Sequence, residues 1–155
     1  MSEILMTLKG VEKLKFDIER YKKRLIGVRQ KKGNAAEVGG DVWHDNSALE
    51  ELEHQERILM REIFELNNTL RKAEIVDNKL GDNKVSIGSK VKITFLDDNS
   101  SAEFTIAGHG ESDPENNIIS YDSPLGAALY GKNIGGKCEL KTSNNCRSIR
   151  VDKIN

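Results

Sequence analysis

The stretch LEELEHQERILMREIFELNNTLRKA, residues 49–73, decides the fold of the first half of the chain. Its seam positions alternate steps of three and four, and all but one are apolar: Leu49, Leu52, Glu56, Leu59, Ile63, Leu66, Leu70 and Ala73. This spacing places the apolar side chains along one stripe of a helix, the stripe that a coiled coil buries against a second helix. The sequence therefore predicts a long helix with a helical partner.

The partner helix is predicted upstream and begins after Thr7, whose hydroxyl suits a helix N-cap. Its apolar positions also share one helix face: Leu8, Val11, Leu14, Ile18, Tyr21, Leu25 and Val28. Between the two patterns, the segment GNAAEVGGDVWHD contains three glycines and is predicted to be a loop that cannot continue a stable helix. We expect an antiparallel hairpin shaped as a rod, with no room for an interior pocket and with its function at the tip.

The net charge of −1 conceals a strong pattern along the hairpin. Residues 1–32 carry ten Lys and Arg against four Asp and Glu, whereas residues 33–76 carry four against ten. Two adjacent segments of opposite charge favour helices that attract each other. The pattern does not by itself predict sequence-specific DNA binding.

The second half of the chain, residues 77–155, is predicted to be a small β-rich globule. Turn-forming stretches separate segments with strand-like alternation: VSIGSKVKITFL, SAEFTIAG, NNIISYD, KCELKT and RSIRVDKI. One short helix is expected at SPLGAALYG, with Ser123 as its cap and Pro124 in its first position. The expected fold class is α+β, with a coiled-coil hairpin over 1–76, an acidic tip near 37–46 and a mixed domain over 77–155.

Composition and cysteine usage restrict the class of protein. Hydrophobic residues make up 37% and charged residues 32%, and no apolar run approaches the roughly 18–20 residues that span a bilayer. The segment MSEILMTLKG lacks a signal-peptide core. Cys138 and Cys146 match no metal-binding spacing, so two reduced thiols in a cytoplasmic protein are expected.

Five motifs in order make the chain resemble the Gre-type transcript-cleavage factors, GreA and GreB, of bacterial RNA polymerase: MTLKGVEKLKFDIE, GD…DN at the bend, AEIVD, VSIGSKVKI and NNIISYDSPLGAALYGK. The resemblance implies an FKBP-like globule that docks at the rim of the polymerase secondary channel. It also implies a coiled coil that reaches the active centre through that channel. The resemblance further implies that the protein stimulates cleavage of backtracked RNA at the extruded 3′ end. It would act as a transcription elongation factor and not as an enzyme.

The same resemblance assigns roles at the tip. Asp41 and Asp45 match the family's tip acids, which help to hold the second catalytic Mg²⁺ of the polymerase, and no cofactor is expected on the isolated protein. Asp45 could instead serve only as a helix cap, and Asp41 could be a solvated turn residue. Accessory candidates at the tip are Glu37, Trp43, His44 and Asn46. Glu37 could instead be a solvated acid, His44 an exposed and inert residue, and Asn46 only a helix start. Trp43 could stack on an extruded base or simply cover the hairpin end.

Two further groups of candidates lie away from the tip. Arg29, Lys31 and Lys32 could guide RNA phosphates, or could form the solvated end of a basic helix paired with an acidic one. Asp122, Ser123 and Pro124 match the family's polymerase-docking loop, and they also suit a helix start. The leading hypothesis is a transcript-cleavage factor, and the alternative is a regulator or inhibitor that occupies the channel without promoting cleavage.

Overall fold

The computed structural model describes residues 3–38, 47–76 and 83–155. Two long helices occupy the first half: α1 at Leu8–Val38 and α2 at Ser47–Lys72. They are antiparallel, since Arg29 and Lys32 near the end of α1 pair with Glu56 near the start of α2. The predicted hairpin is confirmed.

The first helix begins where its cap predicts and ends later than its glycine predicts. Thr7 Oγ1 accepts a hydrogen bond from the Gly10 amide at 3.0 Å, which is the geometry of an N-cap. At the other end, the expectation that the loop starts at Gly33 is wrong, because α1 continues to Val38. One exposed glycine costs a helix only about 1 kcal/mol, and the good helix formers Ala35 and Ala36 follow it.

The hairpin core is thin, as two helices alone require. Leu14, Ile18 and Leu59 are buried, while the seam residue Leu66 is only half-buried. At about 1.5 Å per residue, the 31 residues of α1 make a helix about 46 Å long.

A two-stranded parallel sheet joins the ends of the hairpin segment, and the sequence analysis missed it. Strand β1 is Ile4–Met6 and strand β2 is Ala73–Ile75, with Met6 opposite Ile75. Ala73 was predicted to continue the helical seam, but α2 ends at Lys72.

Because of this small sheet, the domain organisation differs from the one predicted from sequence. Contacts divide the chain into residues 12–72 and a second unit that combines the segment up to Val11 with the chain from Ala73 onward. The boundary predicted from sequence at 76/77 differs, because it assigned both β1 and β2 to the hairpin. The amide of Val76 also donates to the carbonyl of Met6 at 3.0 Å.

The remaining strands are β3 at Lys90–Phe95, β4 at Ser101–Ala107, β5 at Ile118–Ser120, β6 at Lys137–Thr142 and β7 at Asn145–Ile154. These strands form one mixed sheet of five, in the order β5-β4-β3-β7-β6, and the helix α3, Pro124–Leu129, connects β5 to β6 along the chain. A short 3₁₀ turn, Pro114–Asn116, precedes β5. The α+β class and the short helix are confirmed, and the specific likeness to FKBP stays a prediction.

The core of this unit lies between the sheet and α3. Along β3 and β7 the buried residues alternate with more exposed ones, as in a sheet with one solvated face. Fully buried core residues include Val91, Ile93, Ile106, Ile149, Val151 and, from α3, Leu129. Within 3–38, 47–76 and 83–155, no helix has the length and apolar character needed to cross a membrane.

Candidate functional site

Five of the six predicted tip residues lie outside the described residues: Asp41, Trp43, His44, Asp45 and Asn46. The sixth, Glu37, lies in the last turn of α1, and its side chain is exposed. The roles of all six remain predictions.

The three predicted RNA-contacting residues separate into two kinds. Arg29 Nε lies 2.7 Å from Glu56 Oε1, and Lys32 Nζ lies 3.2 Å from Glu56 Oε2 and 3.4 Å from Glu53 Oε1. Both cations are therefore engaged across the hairpin. Lys31 forms no ion pair with any described residue.

Lys31 instead lines an open groove along the hairpin. Val28, Ile58 and Leu59 line the same groove, and the basic residues Arg24 and Lys31 lie seven positions apart on α1. Gly27 leaves this part of α1 without a side chain, and a Cβ built there would meet nothing within 4 Å. Of the three predicted phosphate contacts, Lys31 is the one whose charge no described carboxylate offsets.

Glu56, the polar member of the seam, now has a structural explanation. The hydrogen bonds from Arg29 and then from Lys32 lower the pKa of its carboxyl, despite the opposing effect of burial. In return, the bond to Glu56 raises the pKa of Lys32. A single charged group in an apolar seam specifies the register of a coiled coil, because a shifted register would leave that group without partners. The oppositely charged helices are thus paired where Arg29 and Lys32 meet Glu56.

The predicted docking loop is held between β5 and α3. Ser123 Oγ accepts a hydrogen bond from the Gly126 amide at 3.0 Å, and the same hydroxyl donates to the Ser120 carbonyl at 2.7 Å. Gly126 is required here, since a Cβ at that position would lie 1.9 Å from the Ser120 oxygen. Asp122 and Pro124 remain exposed on this rigid turn.

Both carboxylate oxygens of Asp122 have partners. Its Oδ2 lies 2.5 Å from Nδ1 of His109, and its Oδ1 contacts the hydroxyl of the buried Ser120. Ser120 Oγ also lies 2.9 Å from the Gly108 carbonyl, so two acceptors share its single proton. Burial raises the pKa of Asp122, but the bonds from Ser120 and His109 outweigh burial and lower it overall. The carboxylate is therefore ionised at neutral pH and oriented from two sides.

His109 and Ser120 were not among the residues predicted from sequence. The sheet register explains why they meet: β4 and β5 are parallel, with Ala107 opposite Ser120, and His109 and Asp122 each follow two residues later. The pairing of β4 with β5 is the observation that could have located these residues, because neighbouring parallel strands bring the loops that follow them to one edge of the sheet. The sequence separation of 13 residues alone gives no such indication.

The group of three does not have the arrangement of a hydrolytic triad. In such a triad the serine contacts the second ring nitrogen of the histidine, whereas Ser120 contacts the carboxylate. No described residue bonds to Nε2 of His109. Within the described ranges there is also no group of three or more His, Cys, Asp or Glu side chains able to hold a metal ion.

Comparison with known proteins decides the family. The model described as "Transcription elongation factor, GreA/GreB, C-term" matches residues 80–155. The GreA transcription elongation factor of Acetivibrio thermocellus is 31% identical over 156 residues, covering 98% of this chain and 96% of its own length. This chain belongs to the GreA/GreB family of transcription elongation factors.

Other members of the Gre family match over similar lengths. GreA of Nautilia profundicola is 32% identical over 150 residues, covering 96% of this chain and 92% of its own. Among solved structures, GreA factor homolog 1 (Gfh1) of Thermus thermophilus is 26% identical, covers 99% of both chains and has a TM-score of 0.47. The assignment to the Gre family rests on the sequence relatives.

Proposed function

We propose that this Gre-type factor binds bacterial RNA polymerase and stimulates cleavage of backtracked RNA by the polymerase's own active centre. The proposal is carried by one observation: the chain matches GreA-type elongation factors over nearly its whole length, through the hairpin as well as the globule. The docking unit and the tip-bearing rod that such an activity needs are therefore both represented.

The docking step is assigned to the loop Asp122–Pro124. Its exposed, ionised carboxylate offers a charge to a basic surface of the polymerase, and its Pro124 offers an apolar contact. The internal hydrogen bonds of Ser123 hold the loop before binding, so little conformational entropy is lost on docking.

Features of the hairpin support insertion into the secondary channel. The bonds of Glu56 to Arg29 and Lys32 fix the register of the two helices near the tip end of the rod. The 31 residues of α1 form a helix about 46 Å long, which suits a hairpin that reaches into a channel. Lys31 is the described residue best suited to attract the phosphates of the extruded RNA.

The tip acids Asp41 and Asp45 would act as oxygen ligands. Carboxylates suit Mg²⁺, which is a hard cation and completes its shell with water and phosphate oxygens. When bound, the second ion of a two-metal site activates the attacking water and stabilises developing charge. The part of this chain is to bring two carboxylates to the active centre and to remove them again, and Trp43 would stack on an extruded base.

The sequence of the tip favours a second candidate, a regulator that occupies the channel without promoting cleavage. The family tip runs Gly-Asp-Leu-x-Glu-Asn, whereas this chain reads GDVWHDN from Gly40 to Asn46, with one additional residue and a shorter second acid. A longer loop and a shorter side chain each change the reach expected of the second acid, and an acid that cannot reach the ion leaves only the obstruction of the channel.

A backtracked elongation complex with labelled RNA distinguishes the two functions. With the protein present at limiting Mg²⁺, we expect shortened transcripts. Asp41→Asn and Asp45→Asn should each slow their formation roughly 100-fold, as the loss of a group that stabilises transition-state charge does. The matched control Glu115→Gln removes an exposed acid from the globule and should leave the rate unchanged.

The outcomes separate cleanly. Binding with slowed synthesis and no cleavage would establish the inhibitory function instead. Cleavage that survives both tip substitutions would refute the carboxylate mechanism, and absence of binding would refute the polymerase as partner.

A further inference from the structure

His109 contacts Asp122 of the docking loop. The family role assigned to that loop does not include this contact. His109 reaches Asp122 from the segment after β4, at 2.5 Å. Its side chain is 41% exposed and that of Asp122 is 42% exposed, so both groups remain accessible to solvent and to a partner.

We propose that His109 is a positioning residue for the docking carboxylate, and that protonation of its imidazole weakens docking onto a basic surface of the polymerase. This inference rests on the proposed function. It adds a residue that orients Asp122, and it makes docking depend on the protonation state of that residue.

The positioning role follows from the backbone around His109. Its amide donates to the Leu5 carbonyl of β1 at 2.9 Å, and the preceding Gly108 carbonyl contacts Ser120. The ring therefore approaches Asp122 from a segment that is fixed on both sides. With Ser120 on Oδ1 and His109 on Oδ2, rotation of the carboxylate would break two contacts.

The charge role follows from histidine chemistry. A neutral imidazole with its proton on Nδ1 still donates to Asp122, and the pair then carries a net charge of −1. A second proton on Nε2 leaves the geometry unchanged but makes the pair neutral. A guanidinium of the polymerase, the cation that best matches a carboxylate, therefore meets a full negative charge only when the imidazole is neutral.

The other charged groups near His109 have partners of their own. From β1 the contact to His109 is a backbone carbonyl. The loop that contains His109 has two charged groups. The carboxylate of Glu111 accepts bonds from the amide and hydroxyl of Thr7 at 2.9 and 2.8 Å, and that of Asp113 accepts a bond from the Asn116 side-chain amide at 2.6 Å. From the loop after β5, the charged group is Asp122 itself. Among the described residues, Asp122 is the one charged group in hydrogen-bond contact with His109.

The test measures the affinity of the full chain for core RNA polymerase at about pH 6 and about pH 8, at constant ionic strength. For the unmodified protein we expect binding about fivefold tighter at the higher pH, the size of one exposed ion pair. The variant His109→Asn keeps a donor near the position of Nδ1 but does not titrate. It should retain the affinity found at the higher pH and lose that part of the pH dependence.

Matched variants isolate the effect of His109. His54→Asn makes the same substitution at an exposed position on α2 and should keep the pH dependence of the unmodified protein. Any contribution from His44 is the same in both variants, because neither substitution changes that residue. Asp122→Asn should weaken binding and remove the slope. In the isolated protein, ¹⁵N NMR of the ring should show the Nδ1–H tautomer at high pH, and thermal melts confirm that each variant folds.

Each outcome decides a different point. No binding by the unmodified protein overturns the proposed function. Unchanged binding by Asp122→Asn overturns the assignment of the docking loop and this inference with it. Binding that requires Asp122 but keeps its full pH slope in His109→Asn overturns this inference alone, and so does an Nε2–H tautomer.

Discussion

At the residue scale, the neighbours of an exposed carboxylate decide the sign of its contribution to stability. Glu74 on β2 lies beside Glu3. The hydrogen bond between their two carboxyl groups, and then their like charge, raises the pKa of Glu74. Glu103 on β4 lies 2.6 Å from Lys90 Nζ, and that bond lowers the pKa of Glu103. The pKa of an acid rises where folding brings it a like charge, and falls where folding brings it a cation.

The first prediction concerns this contrast. Because the pKa of Glu74 is raised, its contribution to stability is most favourable at low pH and declines as pH rises through the raised pKa. Glu74→Gln should therefore raise the melting temperature at neutral pH by about 1 °C, and the gain should vanish below about pH 3.

Glu103→Gln is the control of opposite sign. The lowered pKa of Glu103 provides stability that is present above its ordinary pKa and is lost as pH falls through the lowered value. This variant should melt lower than the unmodified protein at neutral pH. Calorimetry across pH checks both variants, and a destabilised Glu74→Gln protein would contradict the like-charge explanation.

At the element scale, helix α1 shows how local preference and context combine. Its apolar spacing and Thr7 cap predicted its existence and its start, but Gly33 predicted too early an end. A glycine inside a helix lowers helix stability only modestly and does not by itself end the helix. The helix therefore continues through Gly33, because the residues on both sides favour it.

The second prediction follows from the open space at Gly33. A Cβ built there meets nothing within 4 Å, so Gly33→Ala should stabilise the hairpin by about 0.5–1 kcal/mol. In contrast, Gly126→Ala places its methyl group against the Ser120 carbonyl and should destabilise the globule. Denaturant unfolding followed by circular dichroism measures both, and a neutral Gly126→Ala variant would contradict the close packing of the docking loop.

At the scale of the whole molecule, the ends of the hairpin segment belong to the globular unit. Met6 is 3% exposed, and its Cα would lie 2.8 Å from a Cβ on Gly108, so β1 packs closely against the segment after β4. A residue near the chain start thus supports a unit whose remaining sequence begins some 67 residues later, at Ala73.

The third prediction compares two methionines. Met6→Ala should destabilise the protein by about 2–5 kcal/mol, as truncation of a buried methionine does. Met60→Ala removes the same atoms from a side chain that is 50% exposed on α2, and should cost less than about 1 kcal/mol. Urea unfolding of the two variants checks the difference, and equal effects would contradict the assignment of β1 to the globular unit.

The candidate site was predictable only where a motif or a cap marks it. Asp122, Ser123 and Pro124 could be identified because the helix start and the family motif coincide there, and the cap is confirmed. The partners of Arg29 and Lys32 could not be identified, although the opposite charges of the two segments indicated that the helices attract each other. Choosing Glu56 requires the register of one helix against the other, which charge counts do not contain.

The sequence by itself determined the two helices, the alternating strands and the cap at Ser123, because periodicity and capping act within a few residues of one another. Only the tertiary structure decided that β1 pairs with β2, that Glu56 engages both Arg29 and Lys32, and that His109 meets Asp122. These contacts join segments between 13 and 69 residues apart. Their formation depends on the packing of the whole sheet and hairpin, and a local pattern in the sequence does not record it.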